Sequence, residues 1–325
     1  MRSGSEFVAL KIKVSSMERE ESLPDLPWQD ADEAWSLLAS GQVIASEVLA
    51  LAQQAERVEY PHDGGKIVLH HWTPTATNSQ PPVVLFHGGS GSWTHWVKNI
   101  EALTQAGLDV WAVDLPGFGE SDGVPGTSDA DGMLSTLAQL LEQQFPMQPV
   151  QLVGFSFGGM TAGLLAAAYP HLIAQLVIVG APGFGLSAKH PFRLKGWRHL
   201  ASPYAQLQRH VFNLGELMLH KPEHITKDTL ALHVGNVQRD QLPRRRISST
   251  DVLVQALTRV QCPVTAIYGE HDALYPELLD TVQKMLEDAT PHFRGMHRVP
   301  EAGHWVQYEC PSAFHAALLP ILATH

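Results

Sequence analysis

VQLVGFSFGGMTAGLLAAAY, residues 150–169, passes from one periodicity to another without a spacer. An apolar, β-prone run ends at Gly154, and an Ala/Leu-rich helical pattern follows Gly158 at once. Between them, Gly154-Phe155-Ser156-Phe157-Gly158 brackets a serine with glycines. A strand that turns straight into a helix makes a sharp corner, and a serine on that corner holds its hydroxyl clear of the sheet. Glycine is expected on either side because a Cβ there would strike the neighbouring strand or helix. The pentapeptide alone occurs by chance in unrelated chains. Its strand–helix setting distinguishes it, and three further segments add to it.

The first is PPVVLFHGGSGSWTHW, where His87, Gly88 and Gly89 follow an apolar run. Acyl transfer develops negative charge on a carbonyl oxygen, and preorganised backbone N–H groups stabilise that charge well. A glycine turn beside the serine corner offers one such donor at Gly89, and Phe157, next after the serine, offers the other. His87 is read as structural, packing the turn. The second is PVTAIYGEHDALYP, a buried-type strand ending in Gly269-Glu270-His271-Asp272. A carboxylate at that edge holds a histidine in the right tautomer and stabilises its imidazolium; Glu270 is the alternative acid. The third is MHRVPEAGHWVQYE, with His304 in the last strand-to-helix loop. Among 18 histidines it is singled out by that position. The order Ser156, Asp272, His304 is the one used when a G-x-S-x-G serine is the nucleophile.

Around these motifs, short apolar strands at 83–86, 109–113, 150–154, 175–179, 264–268 and 294–299 alternate with helical patterns such as 131–144 and 276–288. Strands at 58–60 and 66–72 form a preceding hairpin about Asp63-Gly64-Gly65. Alternation of this kind implies a mostly parallel sheet with helices on both faces. Residues 28–57 carry helical spacing at Trp28, Ala34, Trp35, Leu38, Val43, Ile44, Val48, Leu49 and Leu51, forming one or two amphipathic helices that pack on the body or present a partner surface. The opening 1–27 contains MRSGSEF, which reads as a tag-like or disordered leader. Residues 187–246 show helical spacing without a strand, between the core segments 58–186 and 247–325.

The net charge is −11, yet residues 187–246 hold eleven Lys/Arg against four Asp/Glu. An acidic body argues against nucleic-acid binding. The basic insertion either steers an anionic substrate or docks on the acidic body with a solvated face. No apolar run is long enough for a membrane span. The two cysteines, Cys262 and Cys310, have no metal-ligand spacing and suit a reducing compartment, hence a cytoplasmic location. No metal and no cofactor are expected. The partner is a small-molecule substrate, and oligomeric state is left open.

Residues 58–323 resemble the α/β-hydrolase superfamily, through the motifs above and through Ala112-Val113-Asp114-Leu115-Pro116-Gly117-Phe118-Gly119-Glu120-Ser121-Asp122. Within it the chain is similar to the capped serine hydrolases that include meta-cleavage-product C–C hydrolases. The tail Gly303-His304-Trp305-Val306-Gln307-Tyr308-Glu309 and the stretch Ile225-Thr226-Lys227-Asp228 carry that likeness. The resemblance implies an α/β-hydrolase fold with a helical cap, 187–246, inserted after the sixth strand. It implies catalysis by Ser156, Asp272 and His304, with Gly89 and Phe157 as oxyanion hole. Two positions depart from the C–C hydrolases: Phe155 stands where they carry Asn, and His233 where they carry a cap Arg. The expected function is hydrolysis of a small or medium, largely apolar carboxylic ester. The alternatives are C–C cleavage of a meta-cleavage dienoate and a ligand-binding receptor with a retained triad. Pocket residues are sought in Phe155, Trp197, Phe212, Met218, His233 and Trp305, with Phe192, Tyr204, Leu217 and Leu219 as further liners of the cap.

Overall fold

The computed structural model describes residues 32–74, 76, 79–186 and 192–324. The leader 1–27, Trp28 and the first residues of the expected cap, 187–191, lie outside the described residues, as do the side chains of Ala34 and Trp35. The strands are β1 Glu56–His62, β2 Gly65–Trp72, β3 Val83–Phe86, β4 Val110–Val113, β5 Val150–Phe155, β6 Ile173–Val179, β7 Val264–Gly269 and β8 Phe293–Val299; the inner ones are short, mainly aliphatic and β-branched runs, and the edge strands β1 and β8 are largely polar. They make a sheet of order β1-β2-β4-β3-β5-β6-β7-β8. The pairs β1·β2 and β2·β4 are antiparallel and all others are parallel.

Residues in β3, β4, β5 and β7 are buried throughout. Such strands read as unbroken apolar runs because both faces are covered. Alternate residues serve opposite faces. Val83 and Leu85 enter one core with Val153, Val179 and Ile267, while Val84 and Phe86 enter the other with Leu152 and Ile178. Helices α1 Asp32–Ala39 and α2 Ser46–Gln54 precede the sheet; α3 Ile100–Gln105, α4 Leu134–Gln144 and α5 Phe157–Ala168 alternate with its strands. An excursion between β6 and β7 carries α6 Pro203–Asn213 and α7 Lys227–Gln238 and, among its described residues, no strand. Helices α8 Val252–Leu257, α9 Leu279–Ala289, α10 Val306–Glu309 and α11 Pro311–Leu322 complete the order. No helix of the described residues is long and apolar enough to cross a membrane.

The N-terminal pattern resolves into two helices, with one correction. Val43 and Ile44 lie in the exposed connection between α1 and α2, and Leu49 on the exposed side of α2, so these three do not serve the apolar face. Gly41 ends α1 at φ +73, and the Gln42 amide donates to the Leu37 carbonyl while the Gly41 amide donates to Leu38. This left-handed close terminates a helix and turns the chain out. Leu38, Val48 and Leu51 are buried against the body. Trp72 Nε1 donates to the Leu51 carbonyl and Gln238 Nε2 to that of Ala39, so the pair packs on both β2 and α7.

The serine corner depends on missing side chains. A Cβ at Gly154 would lie 2.6 Å from Gly159 Cα, and one at Gly158 would lie 2.6 Å from the Phe86 carbonyl oxygen. Overpacking against backbone cannot relax as it can against a flexible side chain. Gly154→Ala is therefore expected to lower the unfolding free energy by about 3 kcal/mol, measured by urea denaturation; a loss under 1 kcal/mol would show that the corner can shift.

Burial also sets the acid limit of the fold. His70, His87 and His233 are pushed down to about 4 by desolvation, and His210 to about 3. Neither ring nitrogen of His210 has a hydrogen-bond partner among the described residues. Below about pH 6.5 the unfolded chain protonates at these sites while the folded chain stays neutral down to about pH 4, so stability is full above that window and falls as pH drops through it. Asp114, raised to about 6 by burial, works in the opposite direction between pH 4 and 6, and the histidines outnumber it. His210→Phe should reduce the slope of unfolding free energy over pH 6.5–4 by up to ~1.4 kcal/mol per pH unit. Identical slopes in urea titrations of the two proteins would contradict this assignment.

Candidate active site

Ser156 sits between β5 and α5 at φ 51, ψ −119, a left-handed backbone rare for a residue with a side chain. Its amide donates to the Val179 carbonyl at 2.7 Å and its carbonyl accepts from Met160 at 3.0 Å, so both neighbouring elements hold the strained residue. His304 lies in the loop after β8, and Asp272 follows β7. His304 Nδ1 is 2.9 and 3.0 Å from the two Asp272 oxygens, and Nε2 is 2.8 Å from Ser156 Oγ. The carboxylate only accepts, so Nδ1 carries the proton and Nε2 accepts from the serine hydroxyl. Asp272 Oδ1 also accepts from the Leu274 amide at 2.9 Å. Asp272 and His304 are buried, while Ser156 keeps accessible surface. Gly180, at φ +54, makes room for the pair: a Cβ there would stand 3.2 Å from Asp272 Oδ2 and 3.3 Å from His304 Nδ1.

Across the site runs the turn after β3. His87 Nε2 accepts from the Leu115 amide at 2.9 Å, so its Nδ1 is protonated and donates to the Gly88 carbonyl at 2.7 Å. His87 thus shapes the turn and makes no contact with Ser156. His95 Nδ1 accepts from the Gly88 amide at 3.2 Å, and desolvation keeps this ring neutral. The amides of Gly89 and Phe157 have no hydrogen-bond partner among the described residues. Phe157 is the first residue of α5, whose dipole favours negative charge at that end.

The excursion is fastened to both loops. On the glycine turn, Ser92 Oγ donates to Asn236 Oδ1 at 2.7 Å, and Ser90 Oγ donates to Asp240 Oδ2 at 2.5 Å. Arg245 pairs with Asp240 at 3.1 Å and places its guanidinium beside Gly89. On the histidine loop, the buried Glu309 accepts from the amides of Gly303 at 2.6 Å, His220 at 3.1 Å and Lys221 at 2.8 Å, and from His224 Nδ1 at 3.1 Å. Tyr308 Oη meets Thr229 Oγ1 at 2.9 Å, and the Trp305 amide donates to the Met218 carbonyl at 2.7 Å. Sequence reasoning named Arg245 only with Arg244 and Arg246 as part of the basic insertion and Glu309 only as the end of the tail motif, and it did not single out Asn236 or Asp240. Arg245 is one of three adjacent arginines, and Glu309 carries no spacing signal of its own.

The six expected pocket residues divide. Phe155 and Trp305 have no accessible surface and so do not line a cavity. Phe155 packs 5.0 Å from the His304 ring and fixes it from behind. Trp305 stacks on Tyr308 at 4.1 Å and its Nε1 donates to the His95 carbonyl at 3.1 Å. Trp197 rests on His210 at 4.7 Å and Phe212 lies under Lys195 at 3.8 Å, and both keep accessible surface. Met218 and His233 keep accessible surface. His233 is 5.3 Å from the His210 ring, is neutral through desolvation, and lies close enough to His95 to lower its pKa.

Comparison with known proteins bears on the same region. A 2-hydroxy-6-oxononadienedioate/2-hydroxy-6-oxononatrienedioate hydrolase of Pseudomonas sp. is 26% identical over 264 residues, covering 76% of this chain and 90% of that protein. The carboxylesterase CesB of Bacillus subtilis superposes with a TM-score of 0.64 at 17% identity, covering 90% of this chain and 99% of the other. A serine hydrolase involved in carbazole degradation gives 0.61 at 21% identity, covering 83% and 100%. These structural likenesses show the fold. The sequence profile of the alpha/beta hydrolase family matches residues 83–317. The chain belongs to the alpha/beta hydrolase family and is a hydrolase by descent.

Proposed function

We propose that the protein is a serine hydrolase that cleaves a carboxylic ester of small or medium size, largely apolar, through an acyl-enzyme. The observation that carries this reading is His304 spanning Ser156 and Asp272 with both ring nitrogens in hydrogen-bond reach. His304 Nε2 takes the hydroxyl proton as Ser156 Oγ bonds to the ester carbonyl carbon, and Asp272 stabilises the resulting imidazolium. The carbonyl oxygen gains charge against the amides of Gly89 and Phe157. The imidazolium then protonates the departing alkoxide as the C–O bond breaks. A water that gives its proton to the same nitrogen attacks the acyl-enzyme, releasing the acid and restoring Ser156. The helical excursion, 187–246, acts as the cap that sets which ester enters.

C–C hydrolysis of a dienoate is the second reading, favoured by the likeness to the Pseudomonas and Paraburkholderia 2-hydroxy-6-oxononadienedioate hydrolases. Against it, the cap position expected to grip a dienoate carboxylate holds His233, which is neutral and brings no charge. Phe155 likewise brings no amide beside the nucleophile. Both oppose recognition of an anionic end group at those two places, and neither opposes an apolar ester.

Hydrolysis of p-nitrophenyl esters of increasing chain length, run beside a meta-cleavage dienoate, separates the readings. Ester turnover is expected to dominate, Ser156→Ala to lower kcat by at least ~10³-fold, and Asp272→Asn by about 10⁴-fold. Faster dienoate cleavage would establish the second reading. Activity indifferent to Ser156→Ala on every substrate would leave the site as a binding pocket.

A further inference from the structure

The segment Asp240–Arg246 closes the excursion and lies over the glycine turn. It is pinned from two sides: the Gln241 amide donates to the Gly117 carbonyl at 3.0 Å, and the Arg246 amide to Asp129 Oδ2 at 2.5 Å. Between these fixings, Arg245 is held through both terminal nitrogens of its guanidinium. Nη1 donates to both Asp240 oxygens at 3.1 Å and to the Leu242 carbonyl at 2.6 Å; Nη2 donates to Ser90 Oγ at 3.2 Å. The guanidinium lies 5.1 Å from the Phe118 ring and 5.4 Å from the Phe157 ring. A Cβ on Gly89 would stand 3.1 Å from Nη2 and 3.5 Å from Nε. The Nε–H has no partner among the described residues.

Two of these facts concern the same oxygen. Arg245 stands beside Gly89 and 5.4 Å from the Phe157 ring, the two residues whose unpaired amides receive the carbonyl oxygen in the proposed reaction. The Asp240 carboxylate pairs with Nη1, while Nη2 and Nε are the guanidinium nitrogens nearest Gly89. Only 18% of the arginine side chain is exposed, and 7% of Asp240. A fixed charge that is screened from water acts more strongly than one at the surface. Ser90 adds a geometric constraint: it is left-handed at φ 52 without being glycine, and its hydroxyl is held by both members of the pair.

We propose that Arg245 is an electrostatic and positioning residue of the oxyanion site. Its charge stabilises the anion that develops at Gly89 and Phe157, and its clamp on Asp240 and Ser90 fixes the turn that carries Gly89. The inference rests on Ser156 being the nucleophile. Its signature is a transition-state effect that is independent of pH, since arginine does not titrate, and that needs no charge on the substrate.

A neutral fluorophosphonate probe tests it without knowledge of the natural substrate. Ser156 Oγ bonds to phosphorus, the P–F bond breaks and fluoride leaves, and the hydroxyl proton passes to His304; the phosphoryl oxygen gains charge in the oxyanion site. The second-order rate of labelling is read by intact mass for wild type, Arg245→Met, Arg245→Lys, Ser90→Ala and Ser156→Ala. Arg245→Met is expected to label about tenfold more slowly, less than the loss of a direct oxyanion donor. Arg245→Lys should recover part of the rate because charge survives without the fork, and Ser90→Ala should cost about twofold. The factor for Arg245→Met should be constant across pH 6–9. Labelling of Arg245→Met at the wild-type rate overturns the proposal. Equal losses in the Lys and Met variants overturn the charge and leave only the clamp. If wild type fails to label at Ser156, the serine-hydrolase reading fails instead.

Discussion

A single residue in an unfavourable backbone state governs the site. Ser156 has a side chain and yet sits at φ 51, a conformation that costs of order 1–3 kcal/mol. Nothing local compensates for it. It is held because β5 is locked between β3 and β6, because α5 begins at the next residue, and because Gly154 and Gly158 let strand and helix approach to backbone contact. That strain lifts the hydroxyl off the sheet, aims the first amide of α5 at the same space, and brings β3's glycine turn alongside. The serine proposed as nucleophile and the two amides proposed as donors thus follow from one corner. His304 and Asp272 are then delivered by the ends of β8 and β7 at the same edge of the sheet.

The excursion does more than cover that edge. It is bonded to the glycine turn through Asn236, Asp240 and Arg245, and to the histidine loop through Glu309, Tyr308 and the Met218 carbonyl. Both are loops that no strand pairing holds. Glu309 joins the amide next to His304 with two amides of the excursion on one carboxylate, so displacement of either segment breaks bonds to the other. Buried polar ties of this type specify one arrangement because their loss leaves unpaired groups. A change in the excursion made to alter specificity is therefore also a change in how the reacting groups are held.

Much of this was readable from residues alone, and the reason is covalent locality. The inner strands are short, apolar and bounded by glycine and proline, and a corner with a glycine on either side of serine announces itself within five residues. The order of serine, acid and histidine fixed which loops to search, and chain direction in a parallel sheet put their ends together. What escaped was long-range and polar. Arg245 looks identical to Arg244 and Arg246 until the fold places Asp240 and Ser90 around it. Glu309 is one acid among many until three amides converge on it. Trp305 and Phe155 were expected in the pocket because aromatic residues near a reactive group suggest contact. The structure turns both inward, since a ring that braces His304 from behind is also a ring near the reactive group. Val43 and Ile44 fit a helical period that a left-handed glycine had already ended.

The charges around the serine fall into a pattern that the proposed reaction explains. Proton transfer to His304 during attack creates a dipole, positive on the imidazole and negative on the carbonyl oxygen. Asp272 faces the first end and Arg245 the second, each partly or fully withdrawn from water, where such charges act most strongly. Between and around them lie His87, His95 and His233, and burial keeps all three neutral. Their neutrality matters as much as the two fixed charges. A protonated His95, 5.6 Å from the Phe155 ring that itself packs on His304, would repel the imidazolium and raise the barrier. Desolvation depresses these rings, so the acid limit of folding and the electrostatics of the proposed attack share one cause. The field that reaches the substrate is thereby left to the two ends of the forming dipole, which is the arrangement that lowers the energy of the transition state more than that of a neutral ester.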